Sequence, residues 1–209
     1  MNVLVLGSTG GTGREILKQA LDQSYVATAF VRDPGKLAIG HPHLRVVRGS
    51  VPEDAAALEG AVRSQDAVIS ALGKGNSLKS GNLMARSMPA IVAAMEKQRV
   101  RRFIFVSAFG VGDTIRDSPF LPRLMHRTLL AGLFADKLAG EQILRRSSLD
   151  WTIVYPSILT NGPRASRYRA GERLEMQGLP RISRADVAEF VLRQLSDAAY
   201  VRKGVIVSD

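Results

Sequence analysis

The chain has 209 residues, enough for one well-buried core, and no Pro/Gly/Ser-rich linker or low-complexity tract divides it. An apolar fraction of 45% with 23% charged residues excludes a disordered or fibrous chain, and the lack of cysteine excludes disulfides, thiolate nucleophiles and cysteine-ligated metals. Twenty-nine Lys/Arg against nineteen Asp/Glu leave a formal charge of +10, which favours phosphorylated or polyanionic partners. No apolar run suffices to span a bilayer, and Met1 opens straight into a strand without a charged leader, so a cytoplasmic protein is expected.

The predicted elements alternate. Val3-Leu4-Val5-Leu6 reads as a buried strand that breaks into Gly7-Ser8-Thr9-Gly10-Gly11-Thr12-Gly13 and then a helix with Ile16, Leu17, Ala20 and Leu21 on one face. Tyr25 to Val31 is a second strand ending at Arg32-Asp33-Pro34-Gly35, Leu44 to Arg48 a third, and Asp54 to Val62 a short helix. Asp66 to Leu72 is a fourth strand, followed by a helix over Leu83 to Lys97 that Pro89 should bend or interrupt. Phe103 to Ser107 is a strand apolar enough to be covered on both faces. A helix-rich stretch over Leu121 to Arg146 leads to a sixth strand, Trp151 to Tyr155, stopped by Pro156. Ser183-Arg184-Ala185-Asp186 is a capped helix start, and Val205-Ile206-Val207 a last strand. This alternation predicts a single α/β domain over residues 1–209, a Rossmann-type doubly wound parallel sheet with helices on both faces.

In such a sheet ligands lie across the carboxyl ends of the strands. The glycine turn sits at the first of these ends. Gly7 permits the sharp turn, Gly10 removes a side chain where a pyrophosphate would lie, and Gly13 lets the helix approach the sheet, while the helix N-terminus offers free N–H groups to an anion. The spacing, Gly7-x-x-Gly10-x-x-Gly13, is a variant of the common dinucleotide fingerprint. At the second strand end Arg32 and Lys36 suit a ribose 2′-phosphate, which favours NADP(H) over NAD(H). Asp33, next to Arg32, competes with that reading because a carboxylate suits a free ribose hydroxyl, and the pair Arg32 and Lys36 also reads as a plain solvated turn.

Gly-Ser-Thr-Gly-Gly-Thr-Gly at 7–13, Val-Arg-Asp-Pro-Gly-Lys-Leu at 31–37 and Asp-Ala-Val-Ile-Ser-Ala-Leu-Gly at 66–73 together resemble the atypical short-chain dehydrogenase/reductase superfamily. The match is nearest its NmrA-like and biliverdin reductase B (flavin reductase)-like NAD(P)-binding members, and it continues through 103–110, 149–156 and 182–188. The resemblance implies NADP(H) on Gly7, Thr9, Gly10, Gly11, Thr12 and Gly13, with Arg32 and Lys36 as the 2′-phosphate grips. It also implies Ala71, Leu72 and Gly73 on the adenosine side, and Pro156, Ser157 and Ile158 near the nicotinamide. Many relatives carry Gly-Asp where this chain has Gly49-Ser50, so an acidic contact to adenine is not expected there.

By the same resemblance Ser107 and Lys137 stand in the superfamily's serine and lysine places, as both catalytic and cofactor-binding residues. Leu133 stands where the catalytic tyrosine should be. Carbonyl reduction needs a proton donor beside the reacting oxygen, whereas quinones, flavins and tetrapyrroles spread charge and take a proton from water. The expected function is therefore an NADPH-dependent oxidoreductase delivering hydride to such a conjugated acceptor. The alternative is a non-catalytic NADP(H) redox sensor that regulates a partner protein. Tyr155 is a substitute proton donor in one reading and a packing residue in the other. Lys137 is a ribose ligand in one reading and, in the other, an exposed helix lysine paired with Glu141.

The substrate side is expected from 109–134, with Phe109, Phe120, Leu121, Met125 and Phe134, and from 159–181, with Arg164, Arg167, Arg169 and Arg173. An apolar pocket with a cationic rim suits a planar anionic small molecule, although these arginines also read as a solvated face. The arginines lack interleaved aromatics, so no specific nucleic-acid partner is expected. His41 and His43 flank Pro42 without a third ligand, and no metal site is expected.

Overall fold

The computed structural model describes residues 1–73, 81–117, 131–176 and 179–209. An eight-stranded sheet runs β3(Leu44–Arg48), β2(Val26–Val31), β1(Asn2–Leu6), β4(Ala67–Ser70), β5(Arg102–Val106), β6(Asp150–Pro156), β10(Lys203–Ser208), β8(Arg169–Gly171). Every neighbouring pair is parallel except β10 and β8, which are antiparallel. A second, two-stranded parallel ribbon joins β7(Ile158–Thr160) to β9(Arg181–Ser183).

Alternation within each strand sends side chains to two cores. Val3 and Val5 of β1, Ile104 and Val106 of β5, and Val205 and Val207 of β10 face α1(Gly11–Asp22) and α5(Arg184–Arg193). Leu4, Leu6, Phe103, Phe105, Trp151, Ile153 and Tyr155 face α2(Ala55–Val62), α3(Leu83–Lys97) and the helix Ala131–Arg146, which is α4 here. Burial on both faces explains why the central strands are almost wholly apolar.

The helices are fastened to one another by polar groups as well as packing. Gly140 of α4 meets Met84 so closely that a Cβ there would stand 3.0 Å from the Met84 Cβ. One turn away, the Asp136 carboxylate accepts the Met84 and Ala85 N–H groups at 3.1 and 3.0 Å, so α4 caps the start of α3. On the opposite face Gln19 Nε2 donates to the Ala185 carbonyl at 2.9 Å, tying α1 to α5.

Three features differ from expectation. Pro89 does not interrupt α3, which runs unbroken from Leu83 to Lys97. Proline removes a single helical N–H, and Met84, Met88, Ile91 and Met95 are buried on both sides of it. The sheet is not wholly parallel, because β8 turns back along β10. Finally β7, β8 and β9, each three residues long, lie in or at the ends of the 159–181 stretch, where no strand was expected. At the opposite edge, β3 has Arg45, Val46 and Arg48 exposed.

Candidate functional site

Strand order reverses beside β1, whose partners are β2 and β4, and the register aligns the carboxyl ends there: Leu6 with Phe30 and with Ser70, Ser70 with Phe105, Val106 with Val154. Gly7, Ala71, Ser107 and Ser157 therefore follow one another along one rim. Short bonds hold the rim: Ala71 N–H donates to Leu6 O at 2.9 Å, Ser107 N–H to Val154 O at 2.8 Å and Ser157 N–H to Val207 O at 3.1 Å.

The glycine turn is a close-contact device. Gly7 has φ +81°, the left-handed region, and a Cβ on it would stand 2.6 Å from the Ala71 carbonyl oxygen. A Cβ on Gly13 would stand 2.2 Å from Gly7 O. Gly10 differs: its φ of −79° suits any residue, and its Cβ would meet only Gly7 O at 3.4 Å. Gly10 and Gly11 are exposed while Thr12 is buried and Thr9 half-buried. The first backbone bond of the helix runs from Arg14 N–H to Gly10 O, so the Gly11, Thr12 and Gly13 N–H groups precede any intrahelical partner. Among the described residues no side chain caps this terminus, and no acidic residue lies in its first turn. A positive helix end, free of side-chain caps and fronted by side-chain-free glycines, fits the pyrophosphate of a dinucleotide.

At the end of β2 the competition between Arg32 and Asp33 takes a definite form. Asp33 Oδ1 accepts the Gly35 N–H at 3.1 Å, and its Oδ2 stands 3.8 Å from Lys36 Nζ, so the carboxylate serves the local turn. Arg32 is exposed at the strand end. Arg14 Nη2 donates to the Lys36 carbonyl at 2.9 Å, fastening this turn to the first turn of α1. Gly49 is required by packing, since a Cβ would stand 2.4 Å from the Phe30 ring. Ser50 donates its N–H to Asp54 Oδ2 at 2.7 Å and its hydroxyl to Glu53, organising the approach to α2.

The third part of the rim contains a buried polar cluster. Glu141 of α4 is 1% exposed; Ser107 Oγ donates to its Oε1 at 2.6 Å and Tyr155 Oη to its Oε2 at 2.7 Å. Arg145 Nη2 donates to the Tyr155 oxygen at 3.0 Å while its guanidinium lies 5.1 Å from the Trp151 ring centroid. Burial pushes the Glu141 carboxyl above its ordinary range, against the pull of the two hydroxyl donors, Arg145 and Lys137. Burial and the adjacent carboxylate push the Tyr155 phenol up as well. Lys137, one turn from Glu141, donates from Nζ to Val106 O at 3.4 Å and lies over the Phe105 ring. Desolvation brings its ammonium down to about 8, opposed by Glu141 and Asp136.

Thus Ser107, Lys137 and Tyr155 are brought together, around a carboxylate that sequence reading treated only as a helical ion-pair partner. Its signal was the i, i+4 row Lys137, Glu141, Arg145 on an otherwise amphipathic helix. Pro156 is buried and Ser157 donates its hydroxyl to Ser208 Oγ at 3.0 Å, whereas Ile158 is 47% exposed. Ala71 and Leu72 are half-buried on opposite faces of the sheet and Gly73 is exposed. On the substrate side Phe109 and Phe134 pack on the α3/α4 core, Arg164 pairs with Glu189 at 3.8 Å, and Arg169 donates to the Glu175 and Asp209 carbonyls. Phe120, Leu121 and Met125 lie outside the described residues. Among the described residues no helix is long and apolar enough to cross a membrane.

The family model described as NAD(P)H-binding matches residues 7–198. An uncharacterised chloroplastic protein of Arabidopsis thaliana is 30% identical over 176 residues, 77% of this chain and 60% of the relative, so the match spans less than two thirds of that protein's length. Among solved structures, a short-chain dehydrogenase/reductase from Veillonella parvula in complex with NADP superposes with TM-score 0.83 at 22% identity, covering 100% of this chain and 94% of that one. ChuY, an anaerobillin reductase from Escherichia coli O157:H7, does so with TM-score 0.79 at 22% identity, covering 99% and 96%. With its glycine turn, its mostly parallel sheet and a family match running almost end to end, the chain belongs to the NAD(P)H-binding family and has a Rossmann-like fold.

Proposed function

We propose that this chain is an NADPH-dependent reductase that passes hydride to a conjugated acceptor such as a quinone, flavin or tetrapyrrole. The observation that carries the reading is the engagement of its proton-bearing side chains. Tyr155 is buried with its phenol committed to Glu141, and Leu133 occupies the place of the superfamily's tyrosine, so no phenol among the described residues of this cluster is free to protonate a carbonyl oxygen. A bound reduced nicotinamide would supply the hydride. The chain's part is to hold the dinucleotide on the glycine turn, keep the Lys137 ammonium beside the reacting rim, and orient Ser107 through Glu141. The likeness to ChuY, an anaerobillin reductase, supports a reductase role, and the NADP-bound Veillonella structure supports the phosphorylated cofactor.

The purified chain should oxidise NADPH when supplied with quinones, flavins or linear tetrapyrroles, and do so far faster than with simple ketones or aldehydes. Tight NADPH binding with no acceptor-dependent oxidation would sink the reductase reading and favour a cofactor-sensing protein. The cofactor preference has its own test. Arg32 offers paired hydrogen bonds to a 2′-phosphate, and hydrogen bonds to charged groups are worth about 1.5–3 kcal/mol. Arg32→Ala should therefore weaken NADPH roughly tenfold to a hundredfold and leave NADH unchanged. An unaltered ratio of the two dissociation constants would remove Arg32 from the site.

A further inference from the structure

We propose that Arg184 is a cofactor-binding residue whose guanidinium grips the pyrophosphate from the far side of the glycine turn. The inference rests on the NAD(P)H reading above and adds a ligand that comes from the other end of the chain. A Cβ placed on Gly11 would stand 2.8 Å from both Cδ and Nε of Arg184 and 3.7 Å from Cζ. The arginine side chain therefore lies against the first residue of α1, in the space that the missing Gly11 side chain leaves open.

Its backbone is held there firmly. Arg184 is the first residue of α5, and the Ser183 hydroxyl caps that helix by accepting the Asp186 N–H at 2.9 Å. The next residue, Ala185, accepts the bond from Gln19 that joins α5 to α1. The guanidinium itself is lightly committed. Nη1 donates to Asn161 Oδ1 at 2.7 Å, a neutral partner, and no carboxylate pairs with it among the described residues. A guanidinium has five donors, so most of them remain for a ligand.

Arg184 stands beside Gly11, the first of three helix residues whose N–H groups have no bond among the described residues, and no acidic side chain lies in the first turn of α1. An oxyanion is the ligand that such a helix end and cation accept best, and a guanidinium engages phosphate oxygens in pairs. Gly11 thus has a different reason to be glycine from Gly7 and Gly13: a side chain there would push Arg184 away.

Because the pyrophosphate is common to both cofactors, the residue is tested by fluorescence titration of NADPH and NADH on the full chain. Arg184→Met should weaken both by the same factor, about tenfold or more, leaving their ratio unchanged. Arg184→Lys, which keeps the charge but not the paired donors, should fall between. The melting temperature without nucleotide checks that each variant is folded, and the lysine variant carries the test if the methionine variant is not. Unchanged affinity for both nucleotides, or a loss confined to NADPH, would overturn the proposal. A wild-type chain that binds neither nucleotide would overturn the cofactor reading itself, and this inference with it.

Discussion

Gly13→Ala should destabilise the fold and distort the nucleotide site, whereas Gly10→Ala should leave the fold intact and still cost binding. The methyl group on residue 13 would stand 2.2 Å from Gly7 O, a backbone atom that no rotamer change can move aside. Gly7 in turn is pinned against Ala71 on the neighbouring strand, so α1 must lift away from the sheet. Overpacking in a tight core costs about 1–3 kcal/mol, and a backbone clash belongs at the upper end. At about 2–4 °C per kcal/mol for a chain of this size, the melting temperature should fall by roughly 6–12 °C. Residue 10 has ordinary dihedrals and 3.4 Å of room, so its methyl group should change the melting temperature by less than about 2 °C. It would, however, project where the pyrophosphate has to approach, and NADPH affinity should drop at least tenfold. Calorimetry and a binding titration on both variants separate the roles; Gly10→Ala binding like wild type would place the pyrophosphate elsewhere.

Glu141 should prove the second most costly position. Glu141→Ala removes the carboxylate that accepts both buried hydroxyls, and each buried polar group left unpaired costs about 1–3 kcal/mol. We expect a loss of about 3 kcal/mol by urea denaturation at neutral pH. Glu141→Gln keeps the volume and adds a pH signature. The wild-type carboxyl has a folded pKa raised by burial above the 4.5 of a free side chain. Its contribution is therefore full below that value, where both states hold the proton, and is lost as pH rises toward the folded pKa, because the unfolded chain ionises first. The stability advantage of wild type over Glu141→Gln should shrink between pH 4.5 and neutrality. A difference that stays constant over that interval would show that the buried carboxyl titrates normally.

The two positions also mark how far the sequence could be read. The glycine turn was legible because its requirements are local: residues 7 to 13 carry the spacing, the strand before them and the helix after them. The parallel sheet flanked by helices was legible because apolar runs of strand length alternate with helical periodicity. The three-residue strands β7, β8 and β9 were not, since Arg169-Ala170-Gly171 has no alternation and acquires its conformation from β10, more than 30 residues later. Glu141 and Arg184 were hidden for a similar reason. A charged residue on a helix reads as solvated until the fold brings Ser107, 34 positions away, or Gly11 beside it. That the Asp33 carboxylate accepts the N–H of its own turn was equally hidden, because a carboxylate beside Gly35 reads the same in sequence whether it bonds the turn or a ribose hydroxyl.

The sheet's two edges bear on how this chain behaves at high concentration. An open strand invites a second copy to extend the sheet, and β3 is such a strand, with Val46 42% exposed on it. Arg45 and Arg48 flank that valine, so two β3 edges brought together would set four guanidiniums against one another. The other edge is the three-residue β8, too short to template much pairing and reversed relative to the strands beside it. With a formal charge of +10 spread over the whole chain, self-association through the sheet is opposed at both ends. Replacing Arg45 and Arg48 with threonine, a good strand former without charge, would convert that edge from a barrier into a sticky seam.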